Sequence, residues 1–88
     1  MNLIKGDVIS VNNNNYIVIE MLNYNYEKYA FVNELDDNED IGEKYYIFKV
    51  ENDSAIKLTD ETLINKLLDK FKNLINEDID NIININEG

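Results

Sequence analysis

The residues in this chain best suited to chemistry are carboxylates. Glu34, Asp36, Asp37, Glu39, Asp40 and Glu43 place six acids within ten residues, with no lysine between them. Hard cations seek oxygen ligands, so calcium is the first chemistry to weigh. Asp36, Asn38 and Asp40 match the first three ligand positions of an EF-hand loop. The match then fails. Ile41 stands where the loop needs glycine, Gly42 comes one residue too late, and Ile47 stands where a bidentate Glu belongs. The flanking segments also read as strands rather than helices, so no metal is expected. Two readings of the run remain. It is either a solvated loop or a patch that imitates a phosphate backbone. Duplex DNA carries about one charge per 1.7 Å of axis, and a loop this acidic could occupy a groove lined with Lys and Arg. Tyr45, just beyond the run, is a candidate aromatic contact, since Tyr is favoured where a partner surface exists.

Other chemistry has little to work with. The chain has no His and no Cys, which removes the usual general bases, thiol nucleophiles, thiolate metal sites and disulfides. Ser10 and Ser54 have no evident activating partner. Eighteen acids make chance carboxylate pairs common, so an acid–base pair enzyme ranks third among the functions considered. Gly6, Gly42 and Gly88 are isolated and form no phosphate-cradling loop. No catalytic residue and no cofactor are expected.

The net charge of −10 and pI near 4.2 repel nucleic acid and anionic membranes. All eight basic residues are lysine, so the bidentate guanidinium contacts favoured for phosphate and guanine are missing. A direct nucleic-acid or membrane partner is not expected, whereas a protein with a basic surface would be attracted from a distance. No apolar run approaches the length of a membrane span, and MNLIKGD lacks a signal-peptide core. The expected location is the cytoplasm. Heavy use of Asn, Ile, Lys and Tyr looks like an AT-rich coding sequence, so single asparagines carry little weight.

These side chains must be positioned by a small single domain spanning residues 1–88. Its clearest element is Thr59 to Asn76. Leu63, Ile64, Leu67, Leu68, Phe71, Leu74 and Ile75 recur at steps of three and four, one stripe of a helix. Thr59 is the expected N-cap, with Asp60 and Glu61 in the first turn. Ahead of it the pattern predicts strands at Asp7–Val11, Tyr16–Leu22, Glu27–Leu35, Lys44–Val50 and Ser54–Leu58. Asn12–Asn15 and Asn23–Tyr26 read as hairpin loops, because Asn tolerates positive φ. In the second strand Ile17, Ile19 and Met21 fall on one face and Tyr16, Val18 and Leu22 on the other. The whole reads as an α+β domain: a twisted antiparallel meander of four to five strands, a partial barrel, covered by one C-terminal helix. The tail Glu77–Gly88 reads as a helix extension, a flexible end, or a segment that pairs with a sheet edge or a second copy.

The layout KGDVISV–NNNN–YIVIEML, EKYAFV, KYYIFKVENDSAIKL and TDETLINKLLDKF resembles small acidic proteins of low-GC Gram-positive bacteria and their phages, over about residues 5 to 72. That family has no assigned activity, so the resemblance implies a fold and no catalytic residues. In size and charge the chain is also similar to phage inhibitors of host nucleases, including anti-CRISPR proteins that mimic nucleic acid. The similarity implies a non-enzymatic, phage-encoded binding protein acting in the host cytoplasm. Its charge would come from Glu34, Asp36, Asp37, Glu39, Asp40 and Glu43, with Tyr45 as a contact. The alternative is a housekeeping or regulatory module that forms a homodimer through a sheet edge or the Ile-rich tail.

Overall fold

The computed structural model describes the backbone of residues 2–87 and the side chains of residues 2–76. Of the expectations for the tail, the helix extension is met by the backbone as far as Glu87, while any contact made by the side chains of residues 77–88 lies outside the described residues. Five strands follow in chain order: β1 (Val8–Val11), β2 (Asn14–Tyr24), β3 (Glu27–Leu35), β4 (Ile41–Val50) and β5 (Ala55–Lys57). Each pairs antiparallel with the next, giving a curled half-barrel in the order β1-β2-β3-β4-β5. One helix, α1 (Glu61–Glu87), follows. The expected α+β meander with a closing helix is therefore the fold.

Asparagine makes the turns. Asn12 and Asn13 have φ of 52° and 68°, between the paired residues Val11 and Asn14. Two successive positive φ values define the type I′ turn, whose twist matches that of the strands it joins. Asn25 and Tyr26 repeat the geometry, with φ of 50° and 65°. Both hairpins are tighter than the four-residue loops predicted, and β2 is correspondingly longer at each end. Before β1, the Asp7 amide donates to the Ile4 carbonyl and Gly6 takes φ of 90°. A type II turn demands that conformation at its third residue, which glycine adopts without a Cβ clash.

The curled sheet has two apolar faces. On the concave face lie Tyr16, Val18, Ala30, Val32, Phe48 and Val50, all buried, with Leu3, Ile9, Val11, Met21, Tyr46 and Ala55 around them. On the other face Tyr29 and Ile47 meet Leu67 and Phe71 of α1. Leu67 and Phe71 are almost wholly buried, each burial contributing roughly 1.5–3 kcal/mol. Phe71 also packs on Phe31, with ring centroids 5.5 Å apart.

Two expectations need correction. The face assignment of β2 fails after Val18. The register passes from Val18↔Val32 to Glu20↔Phe31, leaving Ile19 as the extra residue of a β-bulge. Alternation is reset there, so Met21 joins the concave core with Tyr16 and Val18, while Leu22 joins the helix side. The reset also places Glu20 opposite Phe31, where it is buried and its Oε2 lies 2.9 Å from Lys5 Nζ. The cap of α1 is Asp60 and not Thr59. Asp60 Oδ1 accepts from the Thr62 and Leu63 amides at 3.0 and 3.3 Å, satisfying two of the orphan donors of the first turn.

Candidate functional site

In an antiparallel meander, alternate turns share an end. The Asn12–Asn13 turn and the 36–40 loop lie at one end of the half-barrel. The Asn25–Tyr26 turn and the 51–54 turn lie at the other. The acidic run therefore occupies one end of the domain.

Asp36 builds the loop. Its Oδ1 accepts from the backbone amides of Asn38 and Asp40, both at 2.9 Å. Its own amide donates to the Asp40 carbonyl, and its carbonyl accepts from the Glu39 amide. This is the local side-chain-to-backbone bonding by which Asp favours turns. Glu39 sits at φ of 62°. The Asp36 carboxylate is thus turned onto the loop's own backbone. Asp37, Glu39, Asp40 and Glu43 are exposed beside it.

Where β4 leaves the loop, the ladder is irregular. Pairing jumps from Leu35↔Ile41 to Asn33↔Tyr45, so Glu34 alone faces Gly42, Glu43 and Lys44. β4 thus begins at Ile41, three residues before the predicted start. Asn33, 1% exposed, repairs the gap: its Nδ2 donates to the Gly42 and Lys44 carbonyls, both at 3.0 Å. The Asn33 Oδ1 accepts from no donor among the described residues. Gly42 is required by close approach, because a Cβ there would lie 2.6 Å from the Glu34 carbonyl oxygen. Loop and bulge are thus tied together by side-chain-to-backbone bonds and a close backbone approach.

The predicted site residues do not form a single flat patch. Glu34 pairs with Tyr16 and so lies on the concave side, half-buried. Tyr45 lies on the helix side, 53% exposed, stacked on Phe31 at 5.6 Å and 17°. It borders a shallow apolar groove of about 280 Å³ with Phe31, Ile47, Leu58, Ile64 and Leu68. Asp36, Asp37, Glu39 and Asp40 form the tip between the two faces. Ile41, 72% exposed, stands at the end of the acidic loop; it was not among the predicted contacts. Asn33 and Gly42 were also missed as supports, although an isolated glycine in an alternating strand is a bulge signal.

Among the described residues no three carboxylates come together as a cation site, and no helix is long and apolar enough to cross a membrane. No family model, curated protein or solved structure matches the chain. The likeness to small acidic phage proteins therefore rests on the sequence pattern alone.

Proposed function

We propose that the chain is a non-enzymatic protein-binding module that presents its acidic end to a basic surface. The supporting observation is the Asp36-centred loop. One carboxylate fixes the backbone, and Asp37, Glu39, Asp40 and Glu43 stand exposed around it. Exposed Ile41 and Tyr45 supply apolar contacts beside the charge. In its most specific form the reading is an inhibitor of a nucleic-acid-binding defence nuclease, encoded by a phage or mobile element, whose acidic tip takes the place of a phosphate backbone.

The test is capture of such nucleases from host lysate, followed by affinity measured against salt. Carboxylates that replace phosphates predict binding that weakens as salt rises. The combined substitution Asp37→Asn, Glu39→Gln, Asp40→Asn should remove most of that binding and its salt dependence. Asp36 is left intact because its carboxylate organises the loop. Unchanged affinity in this variant would rule out the acidic tip.

A second reading has its own observation. Ile4 and Val8, beside the free edge of β1, are 66% and 55% exposed. A regulatory module that pairs with itself through that edge would use them, and would show a concentration-dependent dimer with no heterologous partner.

A further inference from the structure

The half-barrel does not close. Among the described residues β1 and β5 are its two unpaired edges, and the end of β1 at Val11 and the whole of β5 border one cleft of about 430 Å³. Val11, Asn12, Asn14 and Tyr16 line it from one side, and Phe48, Ala55, Ile56 and Lys57 from the other. Tyr16 and Phe48 in its lining meet edge to face at 5.0 Å, and Tyr46 packs against Tyr16 beyond the cleft at 5.9 Å. Lys57 Nζ lies 3.8 Å from the centre of the Tyr46 ring.

The backbone of the two edges that lead to this cleft has a definite pattern. The Val18 amide donates to Asp7, and the two-residue turn makes Val11 and Asn14 a bonded pair. Bonded pairs alternate in an antiparallel ladder. Asp7, Ile9 and Val11 therefore bond to β2, and the N–H and C=O groups of Val8 and Ser10 point away from it. On the other edge, the Glu51 amide donates to Ser54 and the Leu58 amide to Ile47. By the same alternation Ala55 and Lys57 turn their backbone groups outward. β1 carries no charge, proline or bulge, the usual devices that blunt an edge.

We propose that this gap takes an extended segment of a partner protein as an added strand, with apolar side chains turned into the cleft and Lys or Arg on the outer face and flanks. This rests on reading the acidic end as a protein-binding surface, and names the form the partner takes there. Unpaired backbone on both edges calls for a strand, as in other cases of strand addition. The aromatic lining calls for apolar residues at every second position. The net charge of −10 calls for a basic segment, its cations placed outside the cleft, because Lys57 is the one charged residue among the described residues of the lining. The cleft is bordered by the Asn12–Asn13 turn, at the same end as the 36–40 loop, and Glu34, opposite Tyr16, adds a carboxylate on the concave side. The same charge disfavours a second copy, since each brings −10.

The probe is a fluorescent peptide of about eight residues, a typical strand length, alternating Val with Lys. Its partners are an alternating Val–Glu peptide and a Val–Lys peptide N-methylated at every second amide. The protein variants are Ser10→Pro, Ser10→Ala and the tip substitution Asp37→Asn, Glu39→Gln, Asp40→Asn. Because the Ser10 amide points away from β2, proline there removes an outward donor and leaves the ladder intact. Ser10→Ala controls for the hydrogen bond between Ser10 Oγ and Asn15 Oδ1.

Expected are binding of the Val–Lys peptide alone, new amide-exchange protection at Val8 and Ser10, and wild-type affinity in Ser10→Ala. Affinity should fall about tenfold or more in Ser10→Pro. The N-methylated peptide should fail equally, a result that needs no change to the protein. Equal affinity for the N-methylated peptide, or for Ser10→Pro, overturns strand addition. If the tip substitution alone abolishes that affinity, the acidic-surface reading survives without it. If Ser10→Pro abolishes binding while the tip substitution changes nothing, the cleft stands and the acidic reading falls. A wild-type dimer that Ser10→Pro dissociates, with no peptide binding, makes the occupant a second copy and overturns the proposal.

Discussion

Gly42→Ala tests whether the acidic tip is held or merely tethered. The added Cβ would sit 2.6 Å from the Glu34 carbonyl oxygen, where real Cβ contacts essentially never fall below 3.0 Å. β3 and β4 must therefore part by about 0.4 Å at a point where backbone meets backbone. Overpacking of this kind costs about 1–3 kcal/mol. Movement of β4 also strains the two Asn33 Nδ2 bonds to Gly42 and Lys44, each with a net value of about 0.5–1.5 kcal/mol. Together these give an expected loss of about 2–6 kcal/mol, the upper end applying if both bonds are lost. A domain of 88 residues has about 4–13 kcal/mol of stability in all, so the loss is large. Urea unfolding followed by far-UV circular dichroism should show a lower midpoint with an unchanged slope. Amide exchange should quicken most between residues 41 and 45. Gly6→Ala is the companion variant. Nothing lies within 4 Å of its added Cβ, but its φ of 90° disfavours any side chain, so its cost should leave residues 41 to 45 unchanged. A Gly42→Ala midpoint equal to wild type would refute the reasoning, because the bulge would then be yielding and the tip not preorganised.

Phe71→Ala should cost about 3–5 kcal/mol in the same urea assay, as expected for truncating a fully buried aromatic; a loss below about 1 kcal/mol would mean that α1 does not hold the sheet. Asp60→Ala should lower stability by about 1 kcal/mol, while Thr59→Ala should be close to neutral; the reverse order in thermal melts would restore Thr59 as the cap. Tyr26→Gly should stabilise by about 1 kcal/mol, since the fully exposed ring earns no burial and the backbone sits at φ of 65°. A loss of stability instead would show that the Tyr26 ring makes a contact that matters in solution.

The elements were legible in the sequence wherever one periodicity ran unbroken. The Leu63–Phe71 part of the helical stripe, the alternation of Tyr29 to Val32 and that of Tyr46 to Val50 lie on the faces their spacing predicts. The asparagine runs marked both hairpins. Errors came where a single residue reset the count. Ile19 bulges out, yet Met21 and Leu22 are both apolar, so either assignment satisfied the pattern. Thr59 and Asp60 both cap well, and the choice between them depends on where the chain turns. At the tip, composition identified the charge but could not separate Asp36, which bonds the loop, from Asp37, Glu39 and Asp40, which stand exposed. Nor could it place Glu34 and Tyr45 on opposite faces, because that follows from the register of three strands.

Each strand bonds only to its neighbour in the chain, whereas Tyr29 and Ile47 wait for Leu67 and Phe71, which are synthesised after all five strands. On the ribosome the hairpins can therefore zip one after another as they emerge, their closures being short and fast. The greasy outer wall they form stays bare until α1 emerges. The vulnerable moment in this protein's synthesis is thus the interval before α1 emerges, when an unlidded sheet is most apt to stick to other nascent chains.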